Sequence, residues 1–121
     1  MVEVEFSFER LDVYQRGLKL LDRLFSICEK LDHGLRDSLG QQLRNSVLSV
    51  TNNIAEGSDK RSKKERAQFY GYALDSARES ASMLNVLKLR KIIDDHVYGS
   101  LREECVIICR MLRRLIESTG S

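Results

Sequence analysis

Apolar residues recur along this chain in four stretches, each with the alternating three- and four-residue spacing of a helix face. In the first, Leu11, Tyr14, Leu18, Leu21, Phe25 and Cys28 make one seam, widened by Val13, Leu20, Leu24, Ile27 and Leu31. In the second, Leu39, Leu43, Val47, Val50 and Ile54 are set among small or polar residues: Asn45, Ser46, Ser49, Thr51, Asn52 and Asn53. That composition lowers intrinsic helicity, so tertiary packing has to hold this helix. The third seam is Phe69, Ala73, Ser76 or Ala77, Ser80, Leu84 and Leu87, and its middle, residues 73–82, is again small. Two small-residue surfaces on consecutive helices predict a close crossing between them. The fourth runs Tyr98, Leu101, Cys105, Ile108, Leu112 and Leu115, broadened by Val106, Ile107, Cys109, Met111 and Ile116.

Helix ends are marked by residue type. Ser7, with Glu9 in the first turn, is expected to cap helix one, and Asp32-His33-Gly34 to end it. Helix two starts near Leu35–Ser38. Gly57 stands where a helix would call for a left-handed residue just past its end. Ser62 with Glu65 three residues on reads as a capping box for helix three. Asp94-Asp95 supply the cap of helix four. Helices are thus predicted over about 8–31, 36–56, 63–92 and 95–117, between a short acidic lead-in (residues 1–7) and a polar tail (residues 118–121). The chain has no proline, which suits long uninterrupted helices. No strand pattern, low-complexity segment or internal repeat interrupts them. The expected fold class is all-α: an antiparallel up-down-up-down four-helix bundle in a single domain spanning residues 1–121. Helices one and four carry apolar positions on more than one seam, whereas a monomeric bundle needs only about three in seven. Assembly into a homo-oligomer is therefore expected.

Composition adds limits to this picture. With 121 residues, 42% hydrophobic and 31% charged, one core can form beneath a solvated surface. Three cysteines, an odd number, argue against a disulfide framework and for a reducing compartment. No apolar run reaches membrane-spanning length, and the opening residues do not read as a signal peptide. A cytoplasmic protein with no membrane partner is expected. The net charge is only +2, but residues 1–57 carry 7 Lys and Arg against 9 Asp and Glu, and residues 58–121 carry 13 against 9. A basic back half suggests a face for an anionic partner, with ordinary surface scatter as the plain alternative.

No residue stands as a nucleophile beside a base. Cys105 and Cys109 share a helix face, but together with Cys28 and the helix-end histidines His33 and His96 they do not make the converging ligand pairs of a zinc site. They are expected as small core hydrophobes, and no metal, cofactor or catalytic residue is expected. Arg44, Asn53, Glu56 and Glu79 lie on or near the small-residue surfaces. Any that point inward need partners, so they are expected to form a structural polar network rather than a catalytic pair. The bases fall into three groups. Lys60, Arg61, Lys63, Lys64 and Arg66 surround the join of helices two and three; Lys88, Arg90 and Lys91 close helix three; Arg110, Arg113 and Arg114 lie near the end of helix four. Up-down alternation returns the end of helix four to the pole of the join, so the first and third groups are expected to form one basic end. Tyr70 and Tyr72 would add stacking surface there.

Several of these residues also make a motif. Leu11-Asp12-Val13-Tyr14, Gln42-Leu43-Arg44, Asn53-Ile54-Ala55-Glu56-Gly57-Ser58, Ser62-Lys63-Lys64-Glu65 and Ala73-Leu74-Asp75-Ser76-Ala77-Arg78-Glu79 resemble the bacterial four-helix-bundle family of proteins encoded in intervening sequences of 23S ribosomal RNA genes. The chain is also similar to the accessory protein of diversity-generating retroelements. The likeness spans Phe8 to about Glu117, and the Asn-Ile-Ala-Glu-Gly-Ser stretch is its specific part. Relatives commonly have a proline shortly before that stretch, where this chain has Val50-Thr51-Asn52, so a straighter helix two is expected. The resemblance implies an all-helical bundle, a homopentamer around a central channel, and no known catalytic activity. It further implies RNA or DNA as a partner, with a reverse transcriptase or another protein as a second one.

Two functions follow as expectations. One is a non-enzymatic oligomer that binds nucleic acid, structured RNA first, through its basic end. The other is an oligomeric scaffold that binds a protein and no nucleic acid.

Overall fold

A computed structural model describes residues 6–120, and all its regular elements there are helical. The first five residues of the lead-in and the last residue of the tail lie outside the described residues. Four long helices carry the fold: α1 (Asp12–Glu29), α2 (Gln41–Ser58), α3 (Lys63–Leu89) and α4 (Asp95–Gly120). Helix α1 packs on α2 and α4, α3 packs on the same two, and consecutive helices run antiparallel, so the four close into a ring around one apolar core.

The helix ends follow local chemistry more closely than the predicted boundaries did. Ser7 does not cap α1. Ser7–Arg10 forms a 3-10 turn in which the Glu9 carboxylate accepts from the Phe6 N–H at 3.1 Å, and α1 begins only at Asp12. Asp32 caps the next segment by accepting from the Leu35 N–H at 3.1 Å. A single turn (His33–Leu35) and a wider π turn (Arg36–Gly40) then lead into α2. The Ser62 hydroxyl accepts from the Glu65 N–H at 3.2 Å, which is the hydroxyl half of the predicted box. Asp94 caps α4 through the Val97 N–H at 2.8 Å.

Helix α3 ends three residues before its predicted limit, and a lysine closes it. Lys91 adopts φ 60°, its N–H reaches the Lys88 carbonyl at 3.0 Å, and the Ile92 N–H reaches the Leu87 carbonyl at 2.9 Å. This is the paired hydrogen-bond pattern of a Schellman stop, a position that glycine ordinarily fills.

The predicted seams of α2, α3 and α4 are the buried ones: Leu43, Val47, Val50 and Ile54; Ala73, Ala77, Ser80, Leu84 and Leu87; and Leu101, Cys105, Ile108 and Leu112. Helix α1 is set differently. Its buried line is Val13, Gly17, Leu20, Leu24 and Cys28, whereas Tyr14, Leu21 and Phe25 are half-buried and Leu18 is 37% exposed. Gly17 explains the rotation. A Cβ there would sit 3.0 Å from Thr51 Cγ2, so α1 approaches α2 closely at this glycine and buries the face that carries it. A hydrophobic count gives glycine no weight.

The close crossing of α2 and α3 is present, and hydroxyls line it. Ser46 and Ser80 share a hydrogen bond of 2.7 Å, and Ser76 donates to Ser49 at 2.7 Å. Asn53 donates to the Ser49 carbonyl and hydroxyl at 2.8 and 2.9 Å. Large side chains at these positions would separate the helices and strand the hydroxyls unpaired.

Replacing Lys91 with Gly removes the penalty of a side chain in the left-handed region. It should stabilise the chain by about 1 kcal/mol, read as a higher urea midpoint with an unchanged slope.

Candidate nucleic-acid interface

Gly57 builds the join between α2 and α3 by its size, not its backbone freedom. It lies inside α2, no described glycine has a positive φ, and a Cβ there would meet Tyr70 ring carbons at 2.8 and 2.9 Å. The expected left-handed stop is therefore corrected: Asp59, in a right-handed conformation, ends the helix. The same contact buries Tyr70 and takes it out of any stacking role. Burial pushes its phenol pKa up, with Arg66 partly offsetting. Tyr72 stays 44% exposed, stands edge-on to Phe69 and accepts a hydrogen bond from Gln68.

The five bases of the join divide into two kinds. The Arg66 guanidinium donates to the Lys60 and Arg61 carbonyls at 2.9 and 2.8 Å, holding the turn in place of helical partners. Lys60 pairs with Glu56 at 3.4 Å and lies 5.0 Å from the centre of the Phe69 ring. Arg61, Lys63 and Lys64 are exposed, and their charges have no partner among the described residues. Asp59 and Glu65 share the join without pairing with them. Lys63 and Lys64 also open α3, where free N–H groups already concentrate positive potential.

The bases of α4 separate. Arg114 faces α1, on a shallow hollow with Leu11, Val13 and Leu115. Arg110 and Arg113 line a groove of about 500 Å³ between α3 and α4, together with Arg78 and Arg102, over a floor that includes Cys105 and Cys109. Arg78, quoted above only as part of a motif, and Arg102 were not among the bases grouped from sequence. They stand alone in the chain, on different helices, and only the pairing of α3 with α4 brings them beside the other two. No carboxylate lines the groove. Glu104, on the neighbouring face of α4, is turned to α1 and pairs with Arg16 at 2.8 Å.

Arg44, Asn53, Glu56 and Glu79 do not share one network within the chain. Only Asn53 joins the serine ladder. Arg44 bonds Gln41 at 3.0 Å and Glu56 pairs with Lys60. Glu79 is exposed, because its neighbour Ser80 takes the inward position, and it has no partner among the described residues.

Cys28 and Cys105 are core side chains, as expected, while Cys109 is half-buried and reaches the groove. Desolvation raises all three thiols, Cys105 to about 12. At Cys109, Arg113 and Arg78 pull in the opposite direction. Cys28 and Cys105, buried and held protonated, are poor nucleophiles, whereas Cys109 is partly open to solvent beside two arginines.

Four antiparallel helices closed into a ring by short joins define the class of this protein, a small helical bundle. The chain belongs to the family of 23S rRNA-intervening sequence proteins, whose profile matches residues 9–114. Its backbone is similar to a crystal structure, at 1.70 Å resolution, of a protein of unknown function from the S23 ribosomal protein family of Bacteroides thetaiotaomicron. The TM-score is 0.80 over 87% of this chain and 95% of that one, at 22% identity, a likeness that shows the fold alone. No curated protein matches the chain. Nothing in these matches bears on the likeness to the retroelement accessory protein. No helix among the described residues is long and apolar enough to cross a membrane.

Two outcomes follow. Gly57→Ala gains up to about 1 kcal/mol of helix propensity but overpacks the Tyr70 ring at a cost of about 1–3 kcal/mol. It should lower the melting temperature, and a Tyr70→Leu background should restore most of the loss. The second concerns pH. The unfolded Cys105 thiol ionises near pH 9 and the folded one near 12, so between these values the unfolded chain binds fewer protons and stability falls as pH rises. The Cys105 share of the decline should approach about 1 kcal/mol per pH unit, and urea unfolding at pH 8 and pH 10 should show that share lost in Cys105→Ala, with a remainder of the same sign left by Cys28 and Cys109.

Proposed function

We propose that this protein is a non-enzymatic, homo-oligomeric helical bundle that binds nucleic acid, structured RNA in the first place, through its cationic surface. The observation that carries the reading is the set Arg61, Lys63 and Lys64, exposed and unpaired among the described residues on a join pinned by Arg66 and Gly57. A fixed turn presents these charges without the ordering cost of a mobile loop. The family's description, 23S rRNA-intervening sequence protein, agrees with an RNA setting. One chain offers few phosphate contacts. A homo-oligomer, a pentamer by resemblance, repeats the patch and gains avidity without new contacts. Recognition of this kind is driven by phosphate, weakly selective for sequence, and strongly salt-dependent.

The exposed apolar residues Leu18, Leu48, Val86 and Leu89 favour contacts with protein. They support self-association, and they also support the second reading, an oligomeric scaffold for a protein partner such as a reverse transcriptase. Light scattering at micromolar concentration should return a mass several times 13.9 kDa. Fluorescence anisotropy with a structured RNA should show binding that weakens steeply between low and physiological salt. Reversing Arg61, Lys63 and Lys64 to Glu should weaken binding at least tenfold with the assembly intact. Absence of binding at low salt would leave the scaffold reading in its place.

A further inference from the structure

We infer that the groove between α3 and α4 is a second phosphate-binding site, a track in which Arg78, Arg102, Arg110 and Arg113 hold successive phosphates of one nucleic-acid strand. The inference rests on the nucleic-acid reading above and adds a site that is separate from the join.

The groove places four guanidinium groups around one concavity of about 500 Å³ with no carboxylate in its lining. None of the four has an ion-pair or hydrogen-bond partner among the described residues. This is unusual in a chain whose net charge is only +2. Like charges gathered along one channel repel, and no carboxylate lines the channel to offset them. An anion laid along the channel would. The groove is lined by arginines alone, whereas two of the three free bases at the join are lysines. Arginine's planar fork bonds phosphate oxygens in pairs, where lysine acts as a point charge.

The dimensions suit a strand rather than a single anion. Arg102 to Arg113 spans about 16 Å of α4 at about 1.5 Å per residue, longer than a single phosphate and long enough to follow several along one strand. Its floor, which includes Ala81, Val106 and the two cysteines, offers no aromatic ring for base stacking. The contact is to the backbone, not to the bases.

Cys109 provides a probe in the unmodified protein, because it is the half-buried thiol of the groove while Cys28 and Cys105 are buried. Saturating single-stranded RNA should slow the reaction of Cys109 with a maleimide at least fivefold, and DNA of the same sequence should do likewise if backbone phosphates are what is read. An unchanged rate in RNA, or a Cys109 that reacts in the urea-unfolded chain but not at all in the free assembly, would overturn the inference. In parallel, the four arginines are changed to Gln and folding is checked by circular dichroism. Affinity for the RNA by anisotropy should fall at least tenfold. The slope of log affinity against log salt should shrink by about 3, at about 0.7 per lost phosphate contact on a single strand. If this variant retains wild-type affinity and slope while the Arg61, Lys63 and Lys64 reversal abolishes binding, the groove is not a site and the nucleic-acid reading stands. If wild type binds neither RNA nor DNA, both fail together.

Discussion

Helices α2 and α3 lie close enough for serine hydroxyls to bond directly across them, and much of the bundle is arranged around that approach. Ser46 meets Ser80, and Ser49 meets Ser76 and Asn53. At the end of the same crossing, the hydrogen of Gly57 occupies the only space the Tyr70 ring leaves. The small side chains along this crossing each bury little apolar area of their own. The stability of the crossing comes from packing density and from hydroxyls that are costly to leave unpaired. The Asn53–Ser58 stretch is then a packing device. Asn53 extends the hydroxyl ladder, Ile54 fills the core, Glu56 anchors Lys60, and Gly57 admits Tyr70.

This arrangement sorts the cations. A short, tightly held join needs its carbonyls satisfied, and Arg66 does that. Lys60 lies along Phe69 while reaching Glu56. What remains free is a smaller set than a count of bases gives, but it is held on a rigid support. On the other side of α3, the antiparallel partner α4 adds its own arginines to Arg78. Positive potential therefore rises in one channel of a chain that is nearly neutral overall.

The apolar surface is sorted in the same way. Because α1 turns its Gly17 face to α2, the stripe of Tyr14, Leu21 and Phe25 ends up half-buried, with Leu18 further out. Val86 and Leu89 are exposed on α3. Residues of this kind, left at the margin of a small bundle, suit contacts between copies, and the proposed oligomer gives them a place.

The number of helices, the buried seams of α2, α3 and α4, the small-residue crossing, and the caps at Ser62 and Asp94 were all legible in the sequence. Each depends on spacing within one helix or on a side chain bonding backbone three residues away, and neither requires knowledge of a neighbour. The rotation of α1 about its axis was not legible, because a glycine that permits close approach carries no hydrophobic signal. The role of Gly57 was misread for a related reason: a left-handed stop and a steric gap demand the same residue, and only the position of the Tyr70 ring tells them apart. Glu79 and Ser80 are adjacent in a small-residue run, so which of them faces inward is decided by the α2 crossing. The arginine groove was hidden most completely. Arg78 and Arg102 are unremarkable on their own helices, and they share a channel with Arg110 and Arg113 only because tertiary packing sets α3 against α4 in one register.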